Sequence, residues 1–324
     1  MALQAAVPWT QAAWLEEARA WIGSELARLG IEISGPLEQP HVRPWSTVLR
    51  VPTEGGDVWF KANMPALRHE AAVLTVLRRR GPECLPRLLA VDLERGWMLQ
   101  ADGGRRLRDL AAAQSFSARW EELLGLYAGL QIDAAAELDE LLAVGAPDRR
   151  LARVPELYAR LVADRGDPRL GELVPLVSEL CQELAAHGLP ETIQHDDLHG
   201  GNVFVRDGGY VFFDWGDACV SHPFFSLHVT LRVLAHELGV DEGSRELDRF
   251  RDAYLEPWTR FERRSDLLRA ARPADLLGGI CRALGWQLVV SALPTQLRGD
   301  YADAVDDRLS AFLAATREGR ARGC

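Results

Sequence analysis

The chain has almost no lysine. Of its 37 Lys and Arg residues only Lys61 is lysine, and all the others are arginine. That excludes a lysine-rich binding surface and marks position 61 as one that needs a compact ammonium rather than a guanidinium fork. Asparagine is nearly as scarce, with Asn63 and Asn202 alone. Cysteines number five (Cys84, Cys181, Cys219, Cys281, Cys324), scattered, odd in count and without a Cys-x-x-Cys pair. This argues against a zinc site or a disulfide framework and for a reducing cytoplasm. No apolar run reaches the ~18 residues of a membrane span. Met1 to Ala20 carries Glu16 and Glu17 and lacks a basic region before an apolar core, so it does not read as a secretory signal. Excess positive charge is missing too: the formal net charge is −10, which argues against a nucleic-acid partner and would suit a cationic small molecule.

What is present is ordinary for a soluble globular protein, with 48% hydrophobic and 26% charged residues over 324 positions. Apolar residues at helical spacing run from Trp9 to Leu29 and stop at Gly30. Two strand patterns follow, Ser46 to Pro52 and Val58 to Ala62, separated by the turn signal Thr53-Glu-Gly-Gly-Asp57. Pro65 opens a helix to about Arg80, ended by Gly81-Pro82. Leu88 to Val91 and Gly96 to Gln100 read as two more strands. From Ala101-Asp-Gly-Gly104 to Gly188 the pattern is helical. A β segment comes next, Asn202 to Arg206 and Tyr210 to Asp214 joined at Asp207-Gly-Gly209, and residues 222–320 are again helical. The order predicts an α+β fold with a small antiparallel sheet lobe carrying one main helix (residues 1–102) and a large, mostly helical lobe (residues 103–324).

The chemistry is concentrated in His195-Asp-Asp197-Leu-His199-Gly-Gly-Asn202, a His-x-Asp-x-x-x-x-Asn loop that enters a strand. Twelve residues on, the apolar strand Val211-Phe-Phe ends in Asp214. Phosphoryl transfer needs such a set: one carboxylate to take the proton of the attacking hydroxyl, and an amide oxygen with a second carboxylate to hold Mg²⁺ against phosphates. One of the two asparagines falls at the metal position. Upstream, Lys61 on its strand is placed to meet α/β-phosphate oxygens, and Glu70 in the following helix to pair with it. His195 and His199 stand four apart, but in a glycine-rich loop rather than on the helix of a zinc site.

These motifs resemble the aminoglycoside phosphotransferase and choline kinase-like family, whose members share the protein-kinase-like two-lobed fold. The resemblance runs from about Val42 to about Arg251. It implies Asp197 as catalytic base, Asn202 and Asp214 as Mg²⁺ ligands, and Lys61 with Glu70 as the phosphate-binding pair. It also implies a hinge from Gln100 to Asp102 whose backbone meets adenine, and a turn at Trp45-Ser46-Thr47 over the phosphates of ATP or another nucleoside triphosphate. The chain departs from the family pattern at Asp196, where glycine is common, and at His222 and Ser226, where acids usually brace the catalytic loop. The expected activity is transfer of the γ-phosphoryl group of ATP, with Mg²⁺, to a hydroxyl of a small molecule by a monomer or homodimer in the cytoplasm. An aminoglycoside, an amino sugar, choline and homoserine all remain open as acceptor types, and a non-catalytic kinase-like binding protein is the contrary reading. For a cationic acceptor, Asp217, Glu237, Asp241, Asp252 and Glu256 are the candidate partners.

Overall fold

The computed structural model describes residues 7–110 and 116–322. Residues 111–115, inside the stretch read as helical, and Cys324 lie outside it. The first strands form one antiparallel sheet in the order β1-β2-β3-β5-β4. These are β1 (Glu38–Val42), β2 (Ser46–Thr53), β3 (Gly56–Asn63), β4 (Leu88–Asp92) and β5 (Trp97–Ala101). The expected hairpin closes with Thr53 opposite Gly56 and Ser46 opposite Asn63. Helix α1 (Ala12–Arg28) covers one face, burying Ile22 and Leu26 with Leu49, Val51, Phe60 and Leu99. Helix α2 (His69–Leu77) buries Ala71, Leu74 and Leu77 in the larger core with Met98. Side chains alternate along a strand. With Phe60 and Ala62 packed under α1, Lys61 and Asn63 therefore point the other way.

β1 was not legible as a strand. Its Glu-Gln-Pro-His-Val run contains a proline, its pairing with β2 slips between Glu38 and His41, and it lies at the sheet edge, where proline is tolerated. The predicted helix from Pro65 is shorter than expected, because a 3₁₀ turn occupies Pro65–Leu67 and another Arg78–Arg80. At the exit from β5 the chain passes so close to its neighbours that glycine is required. A Cβ on Gly103 would lie 2.3 Å from the Phe213 ring, and one on Gly104, at φ +88°, 2.3 Å from the Val205 carbonyl.

The rest is mostly helical: α3 (Phe116–Ala134), α4 (Leu138–Ala143), α5 (Val154–Ala163), α6 (Val174–Ala185), α7 (Ser226–Leu238), α8 (Asp248–Leu255), α9 (Arg264–Ala292) and α10 (Asp303–Arg322). Short strands interrupt it: β6 (Arg105–Arg106), β7 (Asp148–Arg149), β8 (Thr192–Gln194), β9 (Val203–Arg206), β10 (Gly209–Phe212) and β11 (Cys219–Ser221). They make two three-stranded sheets, β10-β9-β6 and β7-β11-β8. The β9–β10 hairpin matches the reading. β6 and β7 fall within the stretch read as helical; at two residues each, they are too short to leave a period in the sequence. Helix α9 packs on α6, α7 and α10 and runs past the catalytic loop. Trp258 is fully buried against Phe224 and Tyr254. No helix among the described residues is long and apolar enough to cross a membrane.

Candidate active site

The strand alternation that turns Lys61 away from α1 brings it onto α2. Its Nζ donates to Glu70 Oε1 at 2.8 Å and to Asp214 Oδ1 at 2.5 Å. Glu70 is fully buried and also accepts from Asn63 Nδ2 (2.6 Å) and the Trp215 backbone N–H (2.9 Å). Burial works against a charged Lys61, but Asp214 and then Glu70 outweigh it and hold its pKa above the usual lysine value. The ammonium is thus charged and held from two sides. Asn63 was not assigned a role in the sequence, although the rarity that singled out Asn202 applied to it equally.

Asp214 follows β10 in a left-handed conformation (φ +64°) that aspartate tolerates better than most residues. The catalytic loop is tied to the same strand end. Phe213 N–H donates to the Asn202 carbonyl (2.8 Å), and His195 Nε2 meets the Phe213 carbonyl at 2.7 Å. A carbonyl only accepts, so Nε2 carries the proton, and burial lowers the His195 pKa and keeps the ring neutral. His195 therefore orients the loop.

Asp197 faces the same cleft. Its Oδ2 accepts from Asn202 Nδ2 (3.1 Å) and lies 3.4 Å from His199 Nε2, while Oδ1 accepts from Arg282 Nη2 at 2.7 Å. Partial burial alone would raise its pKa; Arg282 foremost, then His199, more than offset this and hold the carboxyl below the usual range. The cleft of about 120 Å³ is lined by Ser46, Asp197, Asp214, Arg282 and Trp286, among others. Ser46 starts β2, and its neighbour Trp45 packs edge-on against Trp286 (5.8 Å) and Tyr301 (5.2 Å). The β1–β2 turn therefore closes over the cleft onto the helical part of the chain. At the hinge position, the buried Gln100 side chain turns to Met98 Sδ (3.1 Å). The Asp102 carboxylate accepts from Gly104 N and Trp59 Nε1. Both side chains thus brace the link between the sheet and the rest of the chain.

The donor set fits Mg²⁺. The Asn202 NH₂ group is spent on Asp197, donating to its carbonyl (3.0 Å) and to its carboxylate, which leaves the amide oxygen for a cation. The half-exposed Asp214 supplies a second hard oxygen. No group of three or more His, Cys, Asp or Glu side chains suited to a metal occurs among the described residues. Mg²⁺ held through one or two protein oxygens plus phosphate oxygens needs none.

A family model described as the phosphotransferase enzyme family matches residues 39–267. The chain belongs to this family. It is a small-molecule kinase, and its fold is protein-kinase-like. Among solved structures it is similar to choline kinase LicA from Streptococcus pneumoniae (14% identity, 93% of this chain and 99% of that one covered, TM-score 0.62). It is likewise similar to macrolide 2'-phosphotransferase MphH from Brachybacterium faecium (17%, 90% and 96%, 0.52). A third is the amicoumacin kinase hAmiN in complex with AMP-PNP and Ca²⁺ (14%, 93% and 96%, 0.55). No curated protein matches in sequence.

As a member of this family the chain solves three departures in its own way. Asp196, where glycine is common, adopts φ +59°. Its buried carboxylate accepts from Arg149 Nη1 (3.1 Å) and Gln194 Nε2 (2.9 Å), and burial pushes its pKa up to about 7. Ser226, in place of an acid, reaches the loop through an intermediary. The His195 backbone N–H donates to the Tyr127 hydroxyl (2.9 Å), which lies 3.0 Å from Ser226 Oγ. His222, the other replacement, is buried and caps the turn after it, its Nδ1 accepting from Phe224 N–H (3.2 Å). Tyr127, Arg149 and Arg282 carried no signal in the sequence.

Proposed function

We propose that this kinase transfers the γ-phosphoryl group of ATP, assisted by Mg²⁺, to a hydroxyl of a small molecule, with Asp197 as the base. The observation that carries the reading is the convergence on one cleft of the Lys61–Glu70–Asp214 cluster and the Asp197–Asn202 pair. Lys61, held by Glu70, would bind phosphate oxygens. Gln100 to Asp102 would meet the adenine through their backbone, and the turn at Ser46 would cover the phosphates. Asn202 and Asp214 would hold Mg²⁺, which when bound neutralises charge on the phosphates. Asp197 takes the acceptor's proton as the acceptor oxygen bonds to the γ-phosphorus. The bond from phosphorus to the β,γ-bridging oxygen breaks, and its electron pair stays with the diphosphate. With little covalent work to do, a weakly basic carboxylate that orients the hydroxyl is sufficient. We take residues 1–102 as the nucleotide lobe, residues 103–324 as the acceptor lobe, and the cytoplasm as the setting.

A specific observation favours an acceptor with little positive charge. Of the acids that might have received a cation, Asp217 is paired with Arg282, and Asp252 and Glu256 with Arg264. Glu237, in the last turn of α7, lies within charge range of His199 and Arg108, and Asp241 is exposed just past the helix. The polar wall next to Asp197 is a guanidinium. Among the family's acceptor types this points to a metabolite with one or no amino group rather than a polyamine antibiotic.

The test is ADP release from Mg-ATP across a panel of aminoglycosides, amino sugars, amino alcohols and neutral polyols, with Asp197→Asn as control. Turnover by the wild type on at least one acceptor, and at least 100-fold less by the variant, is expected. Equal rates for the two proteins on every acceptor would overturn the reading.

A further inference from the structure

Arg282 joins two carboxylates across the catalytic cleft. Nη2 donates to Asp197 Oδ1 (2.7 Å) and Nη1 to Asp217 Oδ2 (2.8 Å). It stands on α9, 85 residues from Asp197 in sequence. Its helix comes this close because the next turn is small: a Cβ on Gly285 would already lie 3.2 Å from Asp196 Oδ2. The guanidinium also lies 5.8 Å from the Trp286 ring centroid.

The distribution of donors on Asp197 decides what this arginine does. Asn202 and His199 both converge on Oδ2, and Asn202 has a second duty at the metal position. Among the described residues Arg282 alone holds Oδ1. Without it the carboxylate is pinned at one oxygen and free to turn about its terminal torsion, which is intrinsically broad. Asp217 supplies the reason that Arg282 stays in place: its second fork arm is anchored, so the guanidinium presents a fixed edge rather than a mobile charge. A buried ion pair serving stability alone would not need to include the carboxylate that receives the proton, nor to line the cleft where the acceptor sits.

We propose that Arg282, tethered by Asp217, is a positioning residue for phosphoryl transfer: it fixes the orientation of the Asp197 carboxylate that receives the acceptor's hydroxyl. This rests on the kinase reading above. The chemistry is unchanged by it. The acceptor's proton goes to Asp197, its oxygen bonds to the γ-phosphorus, and the phosphorus–oxygen bond to the diphosphate breaks with its electrons leaving on the diphosphate. Arg282 sets the angle from which the proton is taken.

The test uses the full chain with Mg-ATP and water as the phosphoryl acceptor, so that no natural acceptor need be identified, and reads ADP formation together with nucleotide affinity. Misorienting a reacting group by about 1 Å costs on the order of 100-fold in rate. Arg282→Ala is expected to lose about 100-fold in kcat with KM for ATP unchanged within about threefold. Free guanidinium ion at non-denaturing concentration should restore at least about a tenth of the loss on a logarithmic scale, and sodium or methylammonium should not. Arg282→Lys should fall between the two, because an ammonium cannot hold both carboxylates in one plane. If Arg282→Ala does not fold, Arg282→Lys and Asp217→Asn carry the test, and both should lower kcat without raising KM. A rate within threefold of wild type, or a loss spread over kcat and KM that guanidinium does not relieve, overturns the proposal. Equal rates for the wild type and Asp197→Asn, with water and with every acceptor of the panel above, would instead overturn the kinase reading itself.

Discussion

Glu70→Gln is the substitution whose consequence can be worked out atom by atom. The carboxylate receives Lys61 Nζ, the Trp215 backbone N–H and Asn63 Nδ2, and none of these donors can become an acceptor without moving. A glutamine keeps one oxygen. If that oxygen replaces Oε1, Lys61 and Trp215 remain bonded, but the new NH₂ faces the NH₂ of Asn63. Flipping Asn63 would relieve the clash and forfeit its bond to the Leu67 carbonyl (3.3 Å). If the oxygen replaces Oε2, the NH₂ faces the Trp215 N–H, which cannot flip. At least one buried hydrogen bond is lost, worth about 1–3 kcal/mol with its unsatisfied donor. Lys61 also loses one of its two charged partners. It keeps Asp214, so the total should fall below the ~3–5 kcal/mol of an ion pair broken outright, at about 2–4 kcal/mol. Urea unfolding followed by tryptophan fluorescence reads this as a lower midpoint at unchanged slope. Activity should fall as well, since a Lys61 left with Asp214 alone leans on a proposed metal ligand; a barrier of 2–4 kcal/mol corresponds to roughly 30–800-fold in kcat/KM for ATP. A stability loss under about 0.5 kcal/mol with kcat/KM unchanged would refute the reasoning.

Tyr127→Phe removes the acceptor for the His195 N–H and should cost about 1–3 kcal/mol, with a fall in kcat that leaves KM for ATP alone; an equally stable, equally active variant would mean that the loop is braced elsewhere. His222 gives a pH dependence. Burial lowers its pKa to about 3 from the ordinary 6.5, so between these values the unfolded chain binds a proton that the folded chain does not. Its contribution is fully present above pH 6.5 and is lost as the pH falls toward 3. The slope approaches about 1.4 kcal/mol per pH unit in that window. Urea midpoints measured from pH 7 to 4.5 should fall less steeply in His222→Asn, which keeps an acceptor for Phe224 N–H; parallel curves would contradict the assignment.

The parts of the fold and site that were legible in the sequence are those where the residue type itself is constrained. The hairpin of β2 and β3 was written in alternation and a glycine turn, and α1 in its periodicity. Lys61 and Asn202 stood out because a composition that has replaced nearly all lysine and asparagine retains them where an ammonium or an amide is required. The short strands β6, β7, β8 and β11 left no trace, since two or three residues cannot display a period, and the proline of β1 pointed away from a strand that only an edge position permits.

Rarity works as a filter only for what is rare. Asn63 passes that filter and belongs with Glu70, which makes both asparagines of the chain site residues. Arg149 and Arg282 cannot pass it, because arginine is the default cation of this protein. Their partners lie 47 and 85 residues away, beyond any local pattern. The proposed nucleotide side of the cleft, built around the one lysine, was therefore readable from composition. The proposed acceptor side is built from common residues, the arginine and tryptophan of α9, and only their meeting with Asp197 in space distinguishes them. The same division applies to the acceptor: acids counted along the chain suggested a cation, whereas in the fold Asp217, Asp252 and Glu256 are paired with arginines, which supports the proposal of an acceptor with little positive charge.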